Sequence, residues 1–129
     1  MANNTFNLSG NFSGAILNIQ STLLDVQQAV GEMNTSDEAS RQELKDLIAQ
    51  LSKALETTPP AQALQAKEVA DQAKTLVEQA SAPKPNKSIL HVTGEGLKQA
   101  AKDLEGAIPS ILGIATQIVL TVAKLGGIP

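Results

Sequence analysis

From Gly106 to Ala123 the chain runs for about 18 residues, GAIPSILGIATQIVLTVA, without one charged side chain, bracketed by Glu105 and Lys124. That length sits at the lower edge of what spans a bilayer as a helix, and it is equally the length of a helix hidden in a protein core. Any fold for this chain must find the stretch a place out of water. The apolar pattern also begins before it. Leu97, Ala101, Leu104, Ile108, Ile111, Ala115, Ile118, Val122 and Leu125 alternate steps of 4 and 3, the spacing of one helix face. Pro109 falls inside this run, where its ring would clash with the Glu105 carbonyl of a continuous helix. The pattern therefore predicts one long apolar helix kinked near Gly106, or two helices meeting almost end to end on a shared face.

Three earlier seams have the same spacing. Ile16, Ile19, Leu23, Val26 and Val30 line a first helix that Gly31 is suited to stop. Thr35 and Glu38 form a capping-box pair that places the next start near Ser36. Leu44, Leu47, Ile48, Leu51 and Leu55 face the core of that second helix, while Arg41, Glu43, Lys45, Asp46 and Lys53 form its solvated side. Pro59 and Pro60 separate it from a third helix over about 61–81, seamed by Ala66, Val69, Ala73, Leu76 and Ala80. Pro83 and Pro85 mark the next break. The chain has no Trp or Tyr, and its only aromatic side chains are Phe6 and Phe12, so the core is aliphatic. The expectation is an all-α, up-and-down bundle of four or five helices at 15–129, with the C-terminal helix most buried and residues 1–14 an irregular arm.

Chemistry is conspicuous by what is missing. With no cysteine, thiolate catalysis, disulfides and zinc–sulfur sites are excluded. His91 is the only histidine, and Ser88 stands where a carboxylate di-metal bundle would need Glu three residues before it. Thr93-Gly94-Glu95-Gly96-Leu97-Lys98 looks like a phosphate loop but has neither the glycine spacing nor the Lys-Ser/Thr pair of one. Thr93 as a helix N-cap accounts for it. A net charge of −3 and scarce aromatics argue against nucleic acid as a partner. No enzyme, cofactor or metal is expected.

Two features remain. In the N-terminal arm, Asn11-Phe12-Ser13-Gly14-Ala15-Ile16-Leu17 resembles the amyloid core of islet amyloid polypeptides with Ser13 inserted, which implies self-templated strand pairing. Phe6–Leu23 and Lys84–Ala101 are similar to modules of uncharacterised bacterial, chiefly cyanobacterial, signalling proteins, and this resemblance implies a place in bacterial signalling or defence. In the C-terminal helix, Ser110, Gly113, Gln117 and Thr121 gather on one stripe, suited to close helix packing or to lining a pore.

The expected function is thus a non-enzymatic helical interaction module that self-associates, as a homo-oligomer, or docks a protein partner through Phe6, Phe12, Ile16, Ala66, Ala73 and Ala80. The alternative is a membrane-active or tail-anchored protein using residues 106–125, with Ile111, Ile114, Ile118 and Val122 in lipid. With an uncharged N-terminus lacking an apolar run, the expected location is cytoplasmic, or membrane-associated on the alternative reading.

Overall fold

A computed structural model describes residues 3–33, 37–82 and 84–125, with side chains from Gly14 onward except that of Ala15. The described residues form five α-helices and no strand: α1 (Asn3–Gly31), α2 (Glu38–Leu55), α3 (Ala63–Ala80), α4 (Lys87–Leu104) and α5 (Ile111–Leu125), with a 3-10 turn at Pro60–Gln62. The chain is an all-α bundle, as the seams predict.

Several helix ends have a local chemical reason. α1 ends at Gly31 without the left-handed glycine its sequence suggests, and the Glu32 and Met33 N–H groups close its last turn onto the Gln28, Ala29 and Val30 carbonyls. Asp37, rather than Thr35 or Ser36, caps α2: its carboxylate accepts from the Ser40 backbone N–H at 3.0 Å. Thr35 and Ser36 lie outside the described residues. Arg41, the only arginine, donates to the Met33 carbonyl at 3.1 Å and also pairs with Glu38, tying the start of α2 to the end of α1. At the far end of α2, the Thr57 and Thr58 hydroxyls donate to the Ala54 and Leu55 carbonyls, each at 2.7 Å, reinforcing the bonds that the Thr57 and Thr58 backbone N–H groups make to the same oxygens. Asn86 caps α4 by accepting from the Ile89 N–H at 3.1 Å.

Cross-links between helices give the topology. Gln20 reaches Glu56 and Gln27 reaches the Lys45 carbonyl, so α1 and α2 run antiparallel. Gly96 meets Gln72 and Thr93 bonds Gln79, so α3 and α4 do too. Gly94 lies against Val119 where α4 and α5 meet, and α5 returns along α2, with Thr121 on Glu43. The neighbours thus form a closed ring, α1–α2–α5–α4–α3, with α3 also touching α5 across it. A ring with an odd number of helices cannot alternate direction throughout. Here the parallel pair is α1 with α3, which meet through Val26 and Ala29 on one side and Lys74 and Val77 on the other.

The seams predicted from spacing are the core. Ile19, Leu23, Val26 and Val30 of α1, Leu44, Leu47, Ile48, Leu51 and Leu55 of α2, and Ala66, Val69, Ala73, Leu76 and Ala80 of α3 are all buried. So are Leu97, Ala101, Leu104, Ile108, Ile111, Ala115, Ile118 and Val122, while Leu125 is half-buried. Two expectations change. Residues 105–110 are neither a kink nor an end-to-end junction but a turn, and α5 folds back beside α4. Pro109 withholds a backbone donor there, and the Ile108 and Ile111 side chains both enter the core on either side of it, which preserves the periodicity through a reversal of direction. α5 hides Ile111, Ala115, Ile118, Thr121 and Val122 and exposes only Gly113, Gln117, Leu120 and Lys124, four of its 15 residues, whereas α3 exposes seven of its 18. Second, the backbone is helical from Asn3, so the segment expected as an irregular arm belongs to α1, including Asn11–Leu17. Once the docked part of α1 supplies a nucleus, each added residue gains a hydrogen bond at little cost.

This packing makes two sets of variants informative. Leu76→Asp and Ile118→Asp each place an unpaired charge where exposure is 1% and 0%, and each should cost about 4 kcal/mol or more, read as loss of cooperative unfolding in denaturant. The glycines should separate by environment. A methyl group at Gly14 meets nothing within 4 Å, so Gly14→Ala should stabilise by about 1 kcal/mol. A Cβ at Gly94 would already lie 3.1 Å from Val119, so Gly94→Leu should destabilise by about 1–3 kcal/mol. Thermal melts of the two variants should move in opposite directions.

Candidate functional site

The residues singled out from sequence fall in different places. Ala66 and Ala73 are fully buried and Ala80 nearly so, all on the inner side of α3. Their small side chains bring the backbones of neighbouring helices close within one chain, which leaves them no surface to offer a partner. Ile16 is half-buried and packs on the edge of the core. The side chains of Phe6 and Phe12 lie outside the described residues. Ile111, Ile118 and Val122 are core, and Ile114 is half-buried against it. At 15 residues α5 is about 22 Å long, against a bilayer core of about 30 Å. Among the described residues no helix is long and apolar enough to cross a membrane. The stripe of Ser110, Gly113, Gln117 and Thr121 is exposed except at Thr121. That hydroxyl lies 2.8 Å from the Gln117 carbonyl and 2.9 Å from the Glu43 carboxylate, which in turn stands 3.7 Å from Lys124.

The Thr93–Lys98 segment is not a helix start. It lies inside α4, whose cap is Asn86 seven residues earlier. The Thr93 hydroxyl donates to Gln79 at 2.8 Å. Gly94 faces Val119 of α5 and Gly96 faces Gln72 of α3, so the two glycines let α4 approach two helices at once. The signal was present in the sequence as small residues two apart within a helical pattern. Reading Thr93 as the helix N-cap hid it.

Sequence reasoning also missed the outer face of α1. Leu17 and Leu24 sit seven residues apart, two helical turns on one side, and are 64% and 56% exposed. Between them Ser21 is exposed, and the first charged side chain of the sequence is that of Asp25. Because α1 has 29 residues and α2 and α3 have 18 each, it outruns them by eleven residues, about 16 Å. The outer leucines interrupt the inward 3–4 seam only as single extra apolar positions, a weak signal without knowledge of which neighbours flank the helix.

On the opposite side of the molecule, a cleft of 160 Å³ opens between α4 and α5. Leu76, Leu90, Val119 and Val122 make its apolar lining, and Lys87, His91, Glu95 and Lys98 follow one another along its α4 edge. Glu95 pairs with Lys98 at 2.6 Å, and that ammonium holds the carboxyl below its usual range. Lys87 forms no ion pair among the described residues, and no group of three or more metal-ligating side chains gathers among them.

Other electrostatics are local. Asp71 beside Lys67 raises the lysine, a solvated pair one helical turn apart that stabilises little. The Ser40 backbone N–H, then its hydroxyl, hold the Asp37 carboxyl below the ordinary aspartate value of 3.8. A carboxyl depressed in the folded state stabilises fully above the unfolded value, and its contribution is lost as pH falls through the folded one. Asp37→Asn retains a capping oxygen without a titrating proton. The melting temperature should therefore fall less between pH 7 and pH 3 in Asp37→Asn than in the parent, and equal slopes would show that this cap carries none of the acid sensitivity.

Comparison with protein-family models, with curated proteins and with solved structures finds no match to this chain.

Proposed function

We propose that this protein is a non-enzymatic, self-associating helical module, in which the outer face of α1 meets the same face of a second copy. The observation that carries the reading is the exposure of Leu17 and Leu24 at heptad spacing on the helix that outruns its bundle. Leucines seven residues apart present the same ridge on both partners, as a two-fold contact requires.

Charge favours a like partner. Residues 1–24 carry no charged side chain, although the chain as a whole is at −3. Two acidic chains that meet along this segment bring no like charges together at the centre of the contact. The scale is also adequate. A helix of 29 residues is about 43 Å long and 10–12 Å wide, so one face offers about 450 Å² per copy. About 900 Å² in total is at the low end for specific contacts, and a reversible, micromolar dimer is the expected form. The membrane reading gains nothing comparable, because the residues it needs in α5 are committed to the core.

Sedimentation across a concentration series tests the proposal. The parent chain should shift from monomer to dimer over the micromolar range. Leu17→Glu combined with Leu24→Glu should abolish the shift and leave the circular dichroism spectrum unchanged, since both side chains are exposed and glutamate is a good helix former. A parent chain that stays monomeric at several hundred micromolar, or a double variant that still dimerises, overturns it.

A further inference from the structure

The α4–α5 cleft suits a small molecule better than it suits another helix. Its deepest lining is aliphatic: Leu76 and Val122 are 1% exposed and Leu90 is 3% exposed, yet all three border the opening. Its volume of 160 Å³ is close to that of the roughly 150 Å³ apolar cavity known to admit a six-membered hydrocarbon ring. One end of the cleft carries Lys87 and His91, successive residues along one edge of α4. Lys87 is the first residue of that helix, where the free N–H groups add partial positive charge.

The charges are arranged unevenly along that edge. Glu95, the one carboxylate at the rim, lies eight residues from Lys87, about 12 Å along the helix axis, and is already matched by Lys98. Lys124 lies beyond the cleft and faces Glu43 of α2. An anion placed at the Lys87 end therefore meets an ammonium without an ion pair among the described residues, an imidazole and a helix N-terminus, while the one carboxylate that lines the cleft is paired with Lys98 and lies one helical turn beyond His91.

We propose that this cleft binds a small aliphatic monocarboxylate of about six to eight carbons, its hydrocarbon body against Leu76, Leu90, Val119 and Val122 and its carboxylate at Lys87 and His91. The site is separate from the α1 face, so it stands whether or not the chain dimerises. A neutral alcohol of the same length would bury the same chain but leave Lys87 without a counter-charge. An alkylammonium would bring its cation against another.

His91, as the only histidine, provides a unique reporter, because its ring proton signals are resolved from all others. The experiment titrates octanoate, 1-octanol and octylammonium into the full chain below their micelle-forming concentrations and follows the His91 ring resonances at fixed pH. Octanoate should move them saturably and the other two should do so at least several-fold more weakly. Lys87→Glu, at an exposed position, should weaken octanoate by about two- to fivefold, the size of an exposed ion pair. Ala123→Leu fills the cleft from its half-exposed wall and should weaken the carboxylate and the alcohol alike, with Lys87 intact. Absence of a saturable shift with octanoate, equal affinity for octanoate and octanol, or full binding by Ala123→Leu would each overturn the proposal.

Discussion

The bundle depends on the small residues of α3. Among the described residues the core is aliphatic, with no aromatic side chain to span wide gaps, so helices must come close to exclude water. Ala66, Ala70, Ala73 and Ala80, interleaved with Val69, Leu76 and Val77, give α3 a thin inner surface that three other helices approach. Glycine repeats the device where α4 crosses: Gly94 receives Val119 and Gly96 receives Gln72. Enlarging any of these side chains would push a helix outward and open the ring, which is why the smallest residues of the chain are among its most constrained.

The same constraint sets the chain path. A ring of five must include one parallel pair, and parallel neighbours cannot be joined by a short turn. The structure meets this by placing α1 between α2 and α3, so that α2 and α3 follow one another in sequence without packing side by side. The connection across α1 is built from residues that hold a fixed path: Thr57 and Thr58 turn their hydroxyls onto the last carbonyls of α2, Thr58 is itself buried, and Pro59 and Pro60 lead into a 3-10 turn. The prolines that in sequence merely separate two helices thus also carry the chain past a third.

Much of this architecture is legible in spacing, because a core-facing stripe must recur every three or four residues wherever the helix lies. Leu44 through Leu55 and Ile19 through Val30 are core positions for that reason alone. What spacing does not carry is direction. Leu104, Ile108 and Ile111 keep their register whether the chain continues or folds back, since both paths send all three into the same core. Nor does it distinguish an alanine stripe that packs inside one chain from one that meets another chain, so Ala66, Ala73 and Ala80 read as an interaction surface until their neighbours are known. The candidate surfaces were less legible still. Leu17 and Leu24 become an outer face only once α2 and α3 flank α1 on its other sides, and the α4–α5 cleft joins residues up to 47 apart in the sequence, from Leu76 to Ala123.

The length of α1 connects fold to proposed function. An isolated helix shorter than about 12–15 residues is marginal in water, because its nucleus is costly and its gains per residue are small. The eleven residues by which α1 outruns α2 and α3 fall just below that limit, and they are helical in continuity with turns that are docked. They include Gly10 and carry no charged side chain that could form a stiffening ion pair. Propensity is thus a poor reason for so long an α1, whereas contact along its length is a good one. A second copy laid against the uncharged face would bury Leu17 and Leu24 and extend support to the turns the bundle does not flank. Association and the ordering of α1 would then strengthen each other.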